Sequence, residues 1–173
     1  EIVSRDWSSD VCSSDLTVTH PLAEAGYYVY PVALVEATFK ENGLSLPDQM
    51  HEAPLSTLHR IFGADAVLYI TVEKYGIAYV LIDSQTVVSV KAKLVDARNG
   101  KLLWQGQASA SDAEGHDNNN GLLGALLTSV IHQLASNIGN PGHRMSTLAS
   151  FRLLSPHSGG MLYGPRSPNY GKD

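Results

Sequence analysis

Cysteine is nearly absent from the 173 residues: Cys12 stands alone, which excludes an internal disulfide framework and any multi-cysteine zinc site. Charge is scarce as well. Asp, Glu, Lys and Arg make up 17% of the chain, the formal net charge is −5, and no basic cluster offers the footprint that nucleic acid requires. No run of roughly 18 or more apolar residues exists, so nothing in the sequence reads as a membrane-spanning helix. The phosphate-cradling patterns G-x-x-x-x-G-K-[ST] and G-x-G-x-x-G are missing, as are H-E-x-x-H and the G-x-S-x-G elbow. Nucleotide, zinc-protease and esterase chemistry therefore have no support in the motifs. What remains, 43% hydrophobic with 15 Gly and 8 Pro, is ordinary globular composition for one domain.

The first sixteen residues stand apart. Residues 6–16, Asp-Trp-Ser-Ser-Asp-Val-Cys-Ser-Ser-Asp-Leu, read as one frame of a widely used sequencing-library adapter, and residues 1–5 fit its tail and index. Residues 1–16 are accordingly expected to be foreign to the protein, to form neither strand nor helix, and to contribute nothing to the fold. Cys12 goes with them. The segment holds four acids against Arg5, so the other 157 residues carry 11 Lys and Arg against 13 acids, close to neutrality. Any export signal of the parent protein would have stood where the foreign segment now is.

The rest of the chain alternates helical and β-forming stretches. Residues 17–25 read as the end of a helix stopped by Gly26, with Tyr27, Tyr28, Val29 and Tyr30 as a short strand closed by Pro31. Val32, Leu34, Val35 and Phe39 recur at helical spacing up to Gly43, and Leu55, Leu58, Ile61 and Phe62 form a second stripe up to Gly63. Residues 64–73 predict a central strand, which residues 77–82 either prolong or leave. Residues 86–96 alternate cleanly. Arg98-Asn99-Gly100-Lys101 is a turn, and Leu102, Trp104, Gly106, Ala108 and Ala110 are expected on the inner face of the returning strand. Residues 112–120 are a polar loop, residues 121–138 an apolar helix without a single Asp, Glu, Lys or Arg, and residues 144–154 a helix or strand. The fold expected is α/β: a mixed β-sheet with a βαβ-like start and then an antiparallel hairpin, packed against helices, with the amino-terminal strand missing.

Candidate chemistry is thin. Asp112, Glu114, His116 and Asp117 offer oxygen and imidazole ligands close together, yet match no calcium-loop or zinc spacing. The alternative to a metal or hydrolase site is a solvated loop. The helix of residues 121–138 carries Leu122 and Leu126 beside its main apolar stripe, which leaves surface for assembly or for a cover of tail. The tail places Tyr163, Arg166 and Tyr170 among rigid prolines, so that it either docks on the body or a partner, or frays. Leu122, Leu126, Tyr163, Arg166 and Tyr170 are the candidate interaction surface.

Several of these segments resemble a known family, the bacterial lipoproteins grouped as domain of unknown function 799. The resemblance spans residues 17–173 and rests chiefly on Pro-Leu-Ala-Glu-Ala-Gly-Tyr-Tyr-Val at 21–29, Thr-Phe-Lys-Glu-Asn-Gly at 38–43, Phe-Gly-Ala-Asp-Ala at 62–66 and Leu-Tyr-Gly-Pro-Arg-Ser-Pro at 162–168. Gly63-Ala64-Asp65, Leu94-Val95-Asp96 and Gly100-Lys101-Leu102-Leu103-Trp104 also look like a wider group that includes the curli-type secretion-channel lipoprotein and the amino-terminal domain of the Tol propeller protein. The resemblance implies a single α/β lipoprotein domain over residues 17–173 with an extended carboxy-terminal tail. It implies a periplasmic protein anchored at the outer membrane by a lipid on a cysteine this chain lacks, and no catalytic residue or cofactor. The function expected is a non-enzymatic accessory of an envelope transport or assembly system. Its expected partners are envelope proteins, including a curli-channel-like lipoprotein, or further copies of itself. The alternative is a periplasmic hydrolase or small-ligand or metal-binding protein using residues 112–120.

Overall fold

The longest β-forming run in the sequence organises the molecule. In the computed structural model, which describes residues 2–7, 18–44, 49–50, 52–80, 83–112, 141–156 and 160–172, that run is strand β2 (Ala66–Val80). It lies between β1 (Ile2–Trp7), which runs parallel to it, and β3 (Asp83–Asp96), which runs antiparallel and pairs in turn with β4 (Leu102–Ser111). The described helices are α1 (Thr19–Glu24), α2 (Val32–Glu41), α3 (Leu55–Phe62) and α4 (Pro141–Leu154). The expected α/β fold with a mixed sheet is what the structure shows.

Burial divides the sheet cleanly. Strand side chains alternate between faces. Leu68, Ile70, Val88, Val90, Ala92 and Leu94 pack with Leu22 of α1 and Met145, Ala149 and Leu153 of α4. Val67, on the opposite face, joins Val35 and Phe39 of α2 and Leu58 and Phe62 of α3. The result is three layers, with helices on both sides of the sheet. Arg152 of α4 adds a tie to the sheet, donating from Nη1 to the Ser109 carbonyl at 2.7 Å.

Three details depart from the sequence reading. The sheet edge expected to be empty holds Ile2–Trp7, in register from Ile2 opposite Ala66 to Trp7 opposite Thr71. A bare strand edge presents a row of unpaired N–H and C=O groups, and any extended segment can satisfy them. Residues 27–30 are not a strand; Val29 makes a lone bridge. Tyr27 and Val29 pack on the α1–α4 core whereas Tyr30 packs on the α2–α3 core, so this stretch passes from one layer to the other and cannot lie along the sheet.

Residues 77–80 prolong β2, one of the two courses the sequence left open, past a bulge at Glu73 that pairs Val72 with Val90 and Lys74 with Ser89. The extra residue shifts the phase of alternation, which is why residues 73–80 do not read as a continuation of 66–72. The third departure is Leu102. A second irregularity pairs Leu94 with Trp104 but Val95 with Leu102, leaving Leu103 extra and Leu102 48% exposed rather than on the inner face.

The turn behaves as read. The Gly100 N–H donates to the Asp96 carbonyl at 2.9 Å, and Gly100 has φ +74°, a region that glycine enters without steric cost.

Candidate functional site

The carboxy-terminal tail does not fray. It runs back across the end of α1. The Gly164 N–H donates to the Ala25 carbonyl at 2.7 Å, and the Arg166 N–H donates to the Gly26 carbonyl at 3.0 Å. From the other side, the Tyr27 hydroxyl donates to the Leu162 carbonyl at 2.8 Å. Two of the four segments on which the family resemblance chiefly rests, residues 21–29 and 162–168, are thus the two halves of one clasp.

Local chemistry explains why these residues build it. Gly26 ends α1 with φ +91°, as a helix-stopping glycine does. Its missing side chain also clears the path of Ser167. Pro165 and Pro168 stiffen the returning tail, and the Ser167 N–H closes a turn on the Gly164 carbonyl at 3.0 Å.

The clasp sets an amphipathic surface on display. The Arg166 guanidinium lies over the Tyr28 ring, 5.0 Å from its centroid. The Tyr28 ring meets Tyr30 edge-on at 5.6 Å, Tyr30 meets Phe62 at 5.8 Å, and Phe62 meets Phe39 at 5.6 Å. The Tyr30 hydroxyl also donates to the Phe62 carbonyl. A chain of rings therefore joins the exposed guanidinium to the second core. Along the same two stretches of chain Leu162 is 60% exposed, Tyr170 61% and Tyr28 41%.

Of the candidate residues, Arg166 and Tyr170 lie on this exposed surface and Tyr163 is half-buried beside it. Leu122 and Leu126 lie outside the described residues. The sequence reading missed Tyr28 as a surface group, because three tyrosines in a β-forming run look like sheet packing. The local sequence carries no signal against a strand there; the crossing from one helical layer to the other decides it.

The rival loop gains nothing. Glu114, His116 and Asp117 lie outside the described residues, and Asp112 accepts the Thr86 N–H at 2.9 Å. Among the described residues no group of three His, Cys, Asp or Glu could hold a metal ion, and no helix is long and apolar enough to cross a membrane.

Comparison with known proteins places the chain. The family described as "Putative lipoprotein GNA1162-like" matches residues 7–166. "Putative lipoprotein NMB1124/NMB1162" of Neisseria meningitidis serogroup B (strain ATCC BAA-335 / MC58) is 55% identical over 148 residues, covering 84% of this chain and 68% of that protein. The crystal structure of lipoprotein GNA1162 from Neisseria meningitidis has 47% identity and a TM-score of 0.60, over 79% of this chain and 97% of that one. The LpoB carboxy-terminal domain from Salmonella enterica is a distant neighbour, at 18% identity and a TM-score of 0.42 over 62% of this chain and 78% of that one.

Proposed function

Since the chain belongs to the GNA1162-like lipoprotein family, we propose that it is a non-enzymatic accessory lipoprotein of a cell-envelope transport or assembly system that works by protein–protein contact through the clasp surface. The observation that carries the reading is the Arg166–Tyr28 stack with Leu162 and Tyr170 exposed along the same tail. Aromatic residues and arginine are the types enriched where interfaces draw most of their energy. Here they sit on backbone held at both ends, so little ordering entropy remains to be lost on binding.

In this reading the parent protein is periplasmic, tethered to the outer membrane only through an acyl chain, and its partners are envelope proteins such as a curli-channel-like lipoprotein. Leu122 and Leu126 are further candidates for that contact. Self-assembly is the second form that contact could take.

A photo-crosslinking amino acid at position 162 in the lipid-anchored parent protein, expressed in bacteria, tests it. The expected result is a discrete crosslinked product with an envelope protein, lost when Arg166→Glu is added. No product, or one indifferent to Arg166→Glu, rejects the clasp as the contact surface.

A further inference from the structure

We propose that the open half of the sheet face opposite α4 binds an acidic oligosaccharide. On this face α2 and α3 cover the Val67 end and the cover reaches Tyr69, which is half-buried against that core. Beyond it lies a shallow depression of about 520 Å³ lined by Tyr69, Thr71, Lys91, Lys93, Gln105 and Gln107, a volume in the range of small-ligand sites.

The strand register arranges these six side chains as two rows. Tyr69 is opposite Lys93, and Lys93 opposite Gln105; Thr71 is opposite Lys91, and Lys91 opposite Gln107. Neighbouring strands lie about 4.8 Å apart, and residues two apart along a strand about 6.7 Å. The polar groups thus repeat at steps comparable with one pyranose ring, both along and across the rows.

The chemistry of the rows suits a sugar acid. Each glutamine amide both donates and accepts, as paired hydroxyls require, and neither Gln105 nor Gln107 is hydrogen-bonded through its side chain to a described residue. Lys91 is paired with Glu73, whereas Lys93 lies over the Tyr69 ring, 5.1 Å from its centroid, and among the described residues has no carboxylate partner. Two ammonium groups against one carboxylate leave the depression net positive, and Lys93 is the cation placed to meet a uronate.

An acidic peptide fits less well. A peptide added to a sheet pairs with an unpaired strand edge, and in the described sheet the edge nearest the depression is the outer side of β4, beside the face and not on it, since β3 at the centre is hydrogen-bonded on both sides. The described lining of the depression is also polar apart from Tyr69, Ala92 and Gly106, which gives a peptide side chain little to anchor on. The proposed site shares no residue with the clasp, so its failure would leave the clasp reading standing, and the reverse holds too.

The test is titration of the full chain with trigalacturonate, with neutral maltotriose and with tetraglutamate, read by calorimetry and by amide chemical shifts. Trigalacturonate should bind, shift the amides of Tyr69, Lys93 and Gln105, and outcompete both controls. Lys93→Gln and Gln105→Thr, both at exposed strand positions, should each weaken binding about tenfold, the loss expected for one charge-assisted or well-made hydrogen bond, with the melting temperature unchanged. Absence of trigalacturonate binding overturns the proposal, as does binding indifferent to both variants. Equal binding of tetraglutamate also overturns it, by showing a site that reads charge alone.

Discussion

Gly26 and Gly164 meet backbone to backbone: a methyl group on Gly164 would lie 2.6 Å from the Gly26 carbonyl oxygen and 2.9 Å from Cγ of Tyr27. Neither neighbour is the loose end of a side chain. Gly164→Ala is therefore expected to push the tail off α1 and cost about 1–3 kcal/mol, the usual range for overpacking a fitted contact. Chemical denaturation measures the loss, and limited proteolysis should show cleavage after residue 160 in the variant alone. An unchanged tail in Gly164→Ala would show that the clasp yields without opening.

Arg166→Ala separates display from stability. Its guanidinium stacks on an exposed ring, where such contacts contribute about 0.5–1 kcal/mol. The melting curve should move little while the crosslink through position 162 disappears. A large drop in stability would make Arg166 a structural residue.

Residues 1–16 are proposed to be foreign, and Ile2–Trp7 nevertheless occupy the edge of β2. Deleting residues 1–16 is now expected to lower the melting temperature and promote self-association through the bared edge, seen by sedimentation. Shuffling residues 2–7 should change neither, since a ladder of peptide groups does not read side chains, whereas Ser4→Pro should act like the deletion. If the deletion is silent, the strand adds nothing and the earlier expectation of an inert segment stands.

The turn after β3 predicts a pH effect. The Asp96 carboxylate accepts the backbone N–H groups of Arg98, at 2.8 Å, and Asn99, at 3.2 Å. These bonds, the Arg98 one foremost, hold its pKa below the usual aspartate value against some desolvation, and Arg98 and Asn99 side chains assist. A depressed folded-state pKa means stability present above the unfolded value and lost as pH falls through the folded one. Acid titration of the melting temperature should thus fall less in Asp96→Asn, which keeps an acceptor oxygen but cannot protonate, than in the parent. Parallel curves would remove Asp96 as a contributor.

Leu122→Asp with Leu126→Asp distinguishes assembly from packing in the uncharged segment of residues 121–138. An interface predicts a folded protein that associates less; a buried position predicts a destabilised one, since an unpaired charge in a core costs several kcal/mol. Gel filtration beside a melting curve reads both.

Much of the sheet could be read in advance. The hairpin of β3 and β4 announced itself through strict alternation and Asn99-Gly100, both local properties. The bulges at Glu73 and Leu103 did not, because an inserted residue merely blurs a period of two. Residues 27–30 misled for a different reason: three tyrosines favour a strand locally, but the path between two helical layers decided otherwise. The tail was the least legible part. Nothing near Gly164 in sequence indicates that it will press on Gly26, and only the three-dimensional path brings the two recognisable segments together.

The clasp also has a mechanical meaning. It bonds the first helix after residue 17 to the last described segment, so the chain is buckled near both of its ends. A pull applied between α1 and the tail would load three hydrogen bonds and a stacked guanidinium before it reached any strand of the hairpin. The domain would yield there first by unbuckling, with β2, β3 and β4 still paired, so such tension would withdraw the exposed clasp without unfolding the core that bears it.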